Sequence, residues 1–371
     1  APATAAWLAG ALAGLLVLFC TDWRVQRMTY APFWRAAVLV VVATDAWFLR
    51  WTFSGMETPL ATAVLLALLW PLVSGRDLGW GLTREPLWQR YLAWGALAGF
   101  AGLVRPEYLV LAPAALPWLL WFEYSRAGAV GGLPLRRRAR PHGPLAAAAA
   151  GWLVVAGPWL IYARLAFGHV TPGTATAKSG SLSVAPDVVL AGLFQSVKQL
   201  AATQASLWLV LLILMVTILL QHARAQRFGL ADSRDLDAER DTADEPGTPP
   251  APGAGSWSVW GPTALVGIAA TWTVILVAGY AVKQVWVISR YVSPLAPVLV
   301  LAMAVVAEWL VQGVATSRSR HRFGLLLRFG VAAYLVANAW LFAGRVVPHA
   351  HAFAEGVRTC YVGTGEWLRD N

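Results

Sequence analysis

Three short stretches set cations and carboxylates directly beside apolar runs: Ser54-Gly55-Met56-Glu57-Thr58-Pro59-Leu60, Arg105-Pro106-Glu107 and Ser289-Arg290-Tyr291. A fourth, the loop from Arg164 to Lys178, adds His169 and an ammonium group. A guanidinium presents a planar fork that matches phosphate oxygens, and a lysine holds them as a point charge. Arg105, Lys178 and Arg290 are therefore candidate holders of an anionic headgroup, with Tyr291 beside the last of them. Glu57 and Glu107 are candidates to orient those cations or to bind hydroxyl groups.

Each stretch also has a plainer reading. Glu57 stands just before Thr58-Pro59, where an acidic residue complements the start of a helix. Arg105 and Glu107 can close a local ion pair across a tight turn. The loop that holds Lys178 contains Gly168, Pro172 and Gly173, and can simply be solvated. Arg290-Tyr291 can anchor a span at an interface. The recurrence of such cations on one side of a membrane favours the anion. No Gly-rich phosphate loop, Ser-His-Asp set or His-Cys cluster with metal-ligand spacing appears in the sequence. Soluble nucleotide chemistry and classical hydrolysis gain no support, and no metal ligand is assigned.

The elements that must carry these residues are membrane spans. The chain of 371 residues is 58% hydrophobic and 13% charged, with a mean hydropathy of +0.57, far from the mix of an ordinary soluble domain. Apolar runs recur at about the length that crosses roughly 30 Å of hydrocarbon. They predict ten spans, near 5–20, 36–49, 59–74, 91–104, 107–122, 145–162, 206–220, 262–281, 293–313 and 326–344. The 21 Trp suggest aromatic belts at the interfaces. Strict alternation then places 19 of the 29 Lys and Arg in one set of loops, which is the cytoplasmic set by the positive-inside rule. The net charge of +10 is distributed in short loops rather than on one face, so nucleic acid is not an expected partner. Arg105, Lys178 and Arg290 fall on the opposite, outer side, where cations are scarce.

The domain reading follows. Residues 1–220 hold transmembrane helices with the outer polar site, and 262–345 hold further spans. Between them, 221–261 is charge-mixed and then Pro-Gly-rich, and is expected to be a disordered cytoplasmic linker. Residues 346–371 start an external C-terminal region. Asp45 lies inside an apolar run and is expected to pair with Arg50. An interfacial helix is expected near Val188 to Phe194. Cys20 lies near the inner face and Cys360 outside, so the two are not expected to pair. The first residue is not Met, and Glu366-Trp367-Leu368 reads as the start of an external helix, so the sequence is expected to be an internal fragment.

At these residues the chain resembles bacterial members of the GT-C superfamily, integral membrane glycosyltransferases that use polyprenyl-phosphate-linked sugars. The matching stretches, in order, are Trp51 to Leu60, Gly102-Leu103-Val104-Arg105-Pro106-Glu107, Gly168 to Lys178, and Arg290-Tyr291-Val292-Ser293-Pro294. Related proteins tend to show Pro-Asn-Thr where this chain has Pro172-Gly173-Thr174. The resemblance implies an all-α polytopic bundle of GT-C type in the inner (plasma) membrane of a bacterium, with its site facing the periplasm. It implies transfer of a sugar, in the manner of arabinofuranosyl- or mannosyltransferases, to an acceptor hydroxyl on a cell-envelope glycan or lipid. No cofactor is certain, and a divalent metal is compatible. The general base of such enzymes lies in an external loop expected upstream of residue 1. The rival expectation is a transporter or lipid flippase whose outer charges form a gate; it predicts internal repeats or helices broken near mid-membrane.

Overall fold

The computed structural model describes residues 2–28, 32–54, 56–72, 86–131, 142–168, 185–204, 260–285, 289–313 and 317–370. Every regular element among them is helical. In order they are α1 (Pro2–Met28), α2 (Pro32–Thr44), α3 (Ala46–Thr52), α4 (Thr58–Leu68), α5 (Leu87–Val104), α6 (Tyr108–Ala114), α7 (Leu116–Gly131), α8 (His142–Phe167), α9 (Pro186–Thr203), α10 (Trp260–Val282), α11 (Ser289–Val292), α12 (Ala296–Gly313), α13 (Ser317–Leu341), α14 (Val347–Gly356) and α15 (Gly363–Asp370). A 3₁₀ turn at Ser293–Leu295 joins α11 to α12, and a π-helical turn at Phe342–Val346 joins α13 to α14.

Five helical stretches are long and apolar enough to cross a membrane: Thr4–Gln26, His142–Phe167, Thr263–Val282, Ser289–Glu308 and Arg328–Gly356. The pair α2 and α3, bent by 57°, makes a sixth if it is taken as one span. The expected ten are therefore too many for the described residues, and the reasons are local. The run at 59–74 is α4 plus a 3₁₀ turn ending at Leu72. At 1.5 Å per residue these 15 or so residues reach only about 22 Å. Nearly every side chain of α4 is buried, which marks a helix packed all round by protein rather than lipid. The run at 107–122 is two helices that meet at Ala115, with Pro113 inside the first; a proline supplies no backbone N–H and crowds the preceding turn. The run at 91–104 lies within α5, whose first turn carries Arg90. The expected span at 206–220 lies outside the described residues, as does the linker except for Trp260 and Gly261, which open α10.

The bend between α2 and α3 corrects the expected Asp45–Arg50 pair. Asp45 is the N-cap of α3, and its Oδ1 accepts the Phe48 N–H at 2.7 Å. Arg50 lies instead over the rings of Trp47 and Trp51, at 5.3 and 4.9 Å. An aspartate at a helix start satisfies one of the backbone donors left over there, and that local bond wins over a pair one turn away. Asn338 completes the break: its Oδ1 accepts the Ala46 N–H at 3.3 Å and its Nδ2 donates to the Thr44 carbonyl.

Close helix packing sets the frame around the site. A Cβ built on Gly95 would meet the Ala148 carbonyl oxygen at 2.0 Å, and one on Gly151 would meet that of Leu92 at 2.1 Å. The spacing Gly95-x-x-x-Gly99 is the small-residue pattern that lets two spans touch backbone to backbone, and it draws α5 against α8. Trp94 and Trp272 are buried in the core and both are satisfied. Trp94 donates to the Leu68 carbonyl at 2.9 Å, and Trp272 to that of Leu111 at 2.5 Å. The lower end of α4 is closed by Arg24, 2% exposed, which donates to the Leu66 and Ala67 carbonyls.

Candidate functional site

The residue before a proline is pushed out of the α region, and Arg105 obeys this with φ −143° and ψ 126°. The extended backbone ends α5 and leaves the Arg105 side chain in the protein, only 4% exposed. Glu57, Arg290 and Tyr291 are among the groups that meet it there. Its Nε lies 3.5 Å from a Glu57 carboxylate oxygen. Its Nη1 donates to the Arg290 backbone carbonyl at 3.1 Å. Its guanidinium carbon sits 5.5 Å from the centre of the Tyr291 ring.

Glu57 precedes α4 but makes no side-chain hydrogen bond to the helix start. Glu107 likewise precedes α6 without capping it. Both carboxylates reach sideways instead, Glu57 to Arg105 and Glu107 to Tyr280, whose hydroxyl donates to it at 2.9 Å. Their role as simple helix-start acids is thus replaced by tertiary contacts, and the ion pair that forms on Arg105 is with Glu57.

Arg290 and Tyr291 come from α11. The Arg290 guanidinium lies 5.1 Å from the Tyr291 ring centre, and its Nη1 donates to the Met56 sulfur at 3.3 Å. Tyr291 is also packed on Tyr280, with ring centres 5.3 Å apart. Two buried hydroxyls, those of Thr58 and Ser293, and the Arg290 Nε have no hydrogen-bond partner among the described residues.

Five of the six residues singled out in the sequence, Glu57, Arg105, Glu107, Arg290 and Tyr291, therefore form one continuous set of contacts, linked through Tyr280. Lys178 lies outside the described residues, as does His169. Tyr280 was missed. It ends an apolar run, where it reads as an ordinary interfacial aromatic, and nothing near it points to Glu107, which is 173 residues away. Met56, though inside the quoted motif, had no assigned role.

Other charged residues among those described make their own contacts. Arg35 pairs with Asp22 at 2.6 Å, Arg90 with Glu123 at 2.9 Å, and Arg328 lies 6.0 Å over the Phe33 ring. Among the described residues no three His, Cys, Asp or Glu side chains gather as a metal ion would need. In comparisons with known proteins, no family model, no curated protein and no solved structure matches the chain.

Proposed function

We propose that this chain is a membrane glycosyltransferase of GT-C type, moving a sugar from a polyprenyl-phosphate donor to an acceptor hydroxyl on the outer face of a bacterial inner membrane, in cell-envelope glycan synthesis. The observation that carries the reading is the convergence of Glu57, Arg105, Arg290 and Tyr291, drawn from three distant segments onto one polar cluster between apolar helices. Charges in a membrane protein are costly and cluster where function needs them.

In the proposed reaction the acceptor oxygen attacks the anomeric carbon, the bond from that carbon to the phosphate oxygen breaks, and polyprenyl phosphate leaves with the electron pair. The guanidinium cluster stabilises the charge that develops on the departing phosphate. The acceptor proton passes to a carboxylate base. Glu57 and Glu107 are already engaged with Arg105 and Tyr280, so the base is assigned to a carboxylate outside this cluster.

A second reading keeps one supporting observation. The 57° break at Asp45 lies inside a candidate span, and broken helices serve transporters. Its polar groups, however, are spent on the backbone of the break itself. One experiment separates the two: the full chain in proteoliposomes is supplied with a radiolabelled polyprenyl-phosphate sugar and a glycan acceptor. Label appearing on the acceptor supports the transferase. Label that crosses between leaflets without joining an acceptor replaces it with the transporter.

A further inference from the structure

We infer that Arg290, not Arg105, is the guanidinium that contacts the anion, and that Arg105 is a positioning residue that holds Arg290 in place. The inference rests on the reading of the cluster as a phosphate-ester site and assigns different work to its two arginines.

Arg105 is engaged within the protein: its Nε lies 3.5 Å from a Glu57 carboxylate oxygen, its Nη1 donates to the Arg290 carbonyl, and its guanidinium lies near the Tyr291 ring. At 4% exposure it is closed to a ligand. What it controls is the place of its neighbour, since it grips the Arg290 backbone and the ring on which Arg290 rests.

Arg290 is partly exposed, and its partners are poor. No carboxylate among the described residues lies within 4.0 Å of it. Its Nη1 meets a thioether, a weak acceptor, and its Nε is buried without a partner among those residues. The hydroxyls of Thr58 and Ser293, both 0% exposed, also lack partners there. They stand on the two segments that carry Glu57 and Arg290, which pack together where α4 meets 293–295. Fully buried, those two hydroxyls are as closed to a ligand as Arg105; the part-exposed Arg290 guanidinium is what a phosphate ester can match, its oxygens fitting the fork.

The test uses the full chain in detergent, with farnesyl phosphate as the lipid probe and inorganic phosphate as its control. Affinity is titrated directly, and folding is followed by thermal unfolding. R290Q is expected to bind farnesyl phosphate about 10- to 100-fold more weakly, with the ligand-free unfolding temperature unchanged. It is also expected to lose most of the weakening that added salt causes in the unmodified chain. R105Q lowers the ligand-free unfolding temperature, and R105K, which keeps a charge beside Glu57 and a donor for the Arg290 carbonyl, is expected to bind more tightly than R105Q. Should R290Q not fold, R290K decides, since it keeps the charge and removes the fork; wild-type binding by that variant overturns the inference.

Wild-type affinity and salt dependence in R290Q overturn it too, as does an R105K that binds no better than R105Q while unfolding normally. If the unmodified chain binds inorganic phosphate through Arg290 but not farnesyl phosphate, the inference stands and the polyprenyl-donor reading falls. If it binds neither, both fall.

Discussion

Arg105 donates from Nη1 to the backbone carbonyl of Arg290, 185 residues away in the chain, at 3.1 Å. This bond ties the turn after α5 to the segment that opens the span Ser289–Glu308, and it does so from a side chain that is 4% exposed. Replacing Arg105 with Gln removes the pair with Glu57 and this tie together. Loss of one partner from a buried pair costs about 3–5 kcal/mol, but the Glu57 side chain is 39% exposed and can recover hydration. The expected cost is therefore about 1–3 kcal/mol, read as a lower unfolding temperature in detergent. An R105Q protein that unfolds where the unmodified protein does would show that the tie carries no stability.

Tyr280 gives a second, gentler prediction at the same cluster. Tyr280→Phe keeps the ring packed on Tyr291 at 5.3 Å and removes only the hydroxyl that donates to Glu107. Hydrogen bonds to charged groups contribute about 1.5–3 kcal/mol, so a loss near the lower end is expected in thermal unfolding. Glu107→Gln retains an acceptor for the same hydroxyl and is expected to cost less than Tyr280→Phe. The reverse order would mean that the Glu107 charge, rather than this bond, is what matters there.

How much of this was legible in the sequence depended on whether the signal was local. Glu57, Arg105, Glu107 and Arg290 stand out because a charge at the edge of an apolar run is unusual in itself. Tyr280 does not, because its meaning comes only from Glu107 arriving beside it. The fold class was legible from hydropathy, but the number of spans was not. Hydropathy reports that a segment avoids water without saying whether lipid or protein surrounds it, and α4, buried on nearly every side, reads like a span. Asp45 failed for a related reason: one helical turn from Arg50 is a pairing distance only if the helix is unbroken, and Asp45 is where it breaks.

The break itself is testable. Asp45→Asn keeps an acceptor at the N-cap and is expected to change stability by less than about 0.5 kcal/mol, whereas Asp45→Ala should cost about 0.5–2 kcal/mol. Asn338→Leu leaves the buried Ala46 N–H and the Thr44 carbonyl without their partner, and is expected to cost about 2 kcal/mol or more. Thermal unfolding of the three variants checks the order. If Asn338→Leu is the mildest, the bend is set by Asp45 alone.

The packing of α5 against α8 predicts which glycines tolerate a methyl group. Gly95→Ala and Gly151→Ala force a Cβ to within about 2 Å of a backbone oxygen, 2.0 and 2.1 Å by the present geometry. The helices must separate, and each change is expected to cost about 1–3 kcal/mol. Gly330, inside α13, has nothing within 4 Å of its would-be Cβ, so Gly330→Ala should be neutral or gain up to about 1 kcal/mol from helix propensity. Equal unfolding temperatures for all three would remove the close contact of α5 and α8 from the account of stability.

Orientation is the last prediction, and the two cysteines report it. Arg328 lies over Phe33, close in sequence to the Asp22–Arg35 pair assigned to the inner face. From there the candidate span Arg328–Gly356 runs 29 residues, about 43 Å at 1.5 Å per residue, long enough to carry the chain across to Cys360. That cysteine is exposed, whereas Cys20 is only partly so and sits within the candidate span Thr4–Gln26. A membrane-impermeant maleimide added to intact cells is therefore expected to label the protein at Cys360 alone: Cys360→Ser abolishes labelling and Cys20→Ser leaves it intact. Labelling of Cys360 that requires permeabilised cells would invert the protein, and would put the cluster of Arg105 and Arg290 on the cytoplasmic face, where a polyprenyl-phosphate donor facing the periplasm could not reach it.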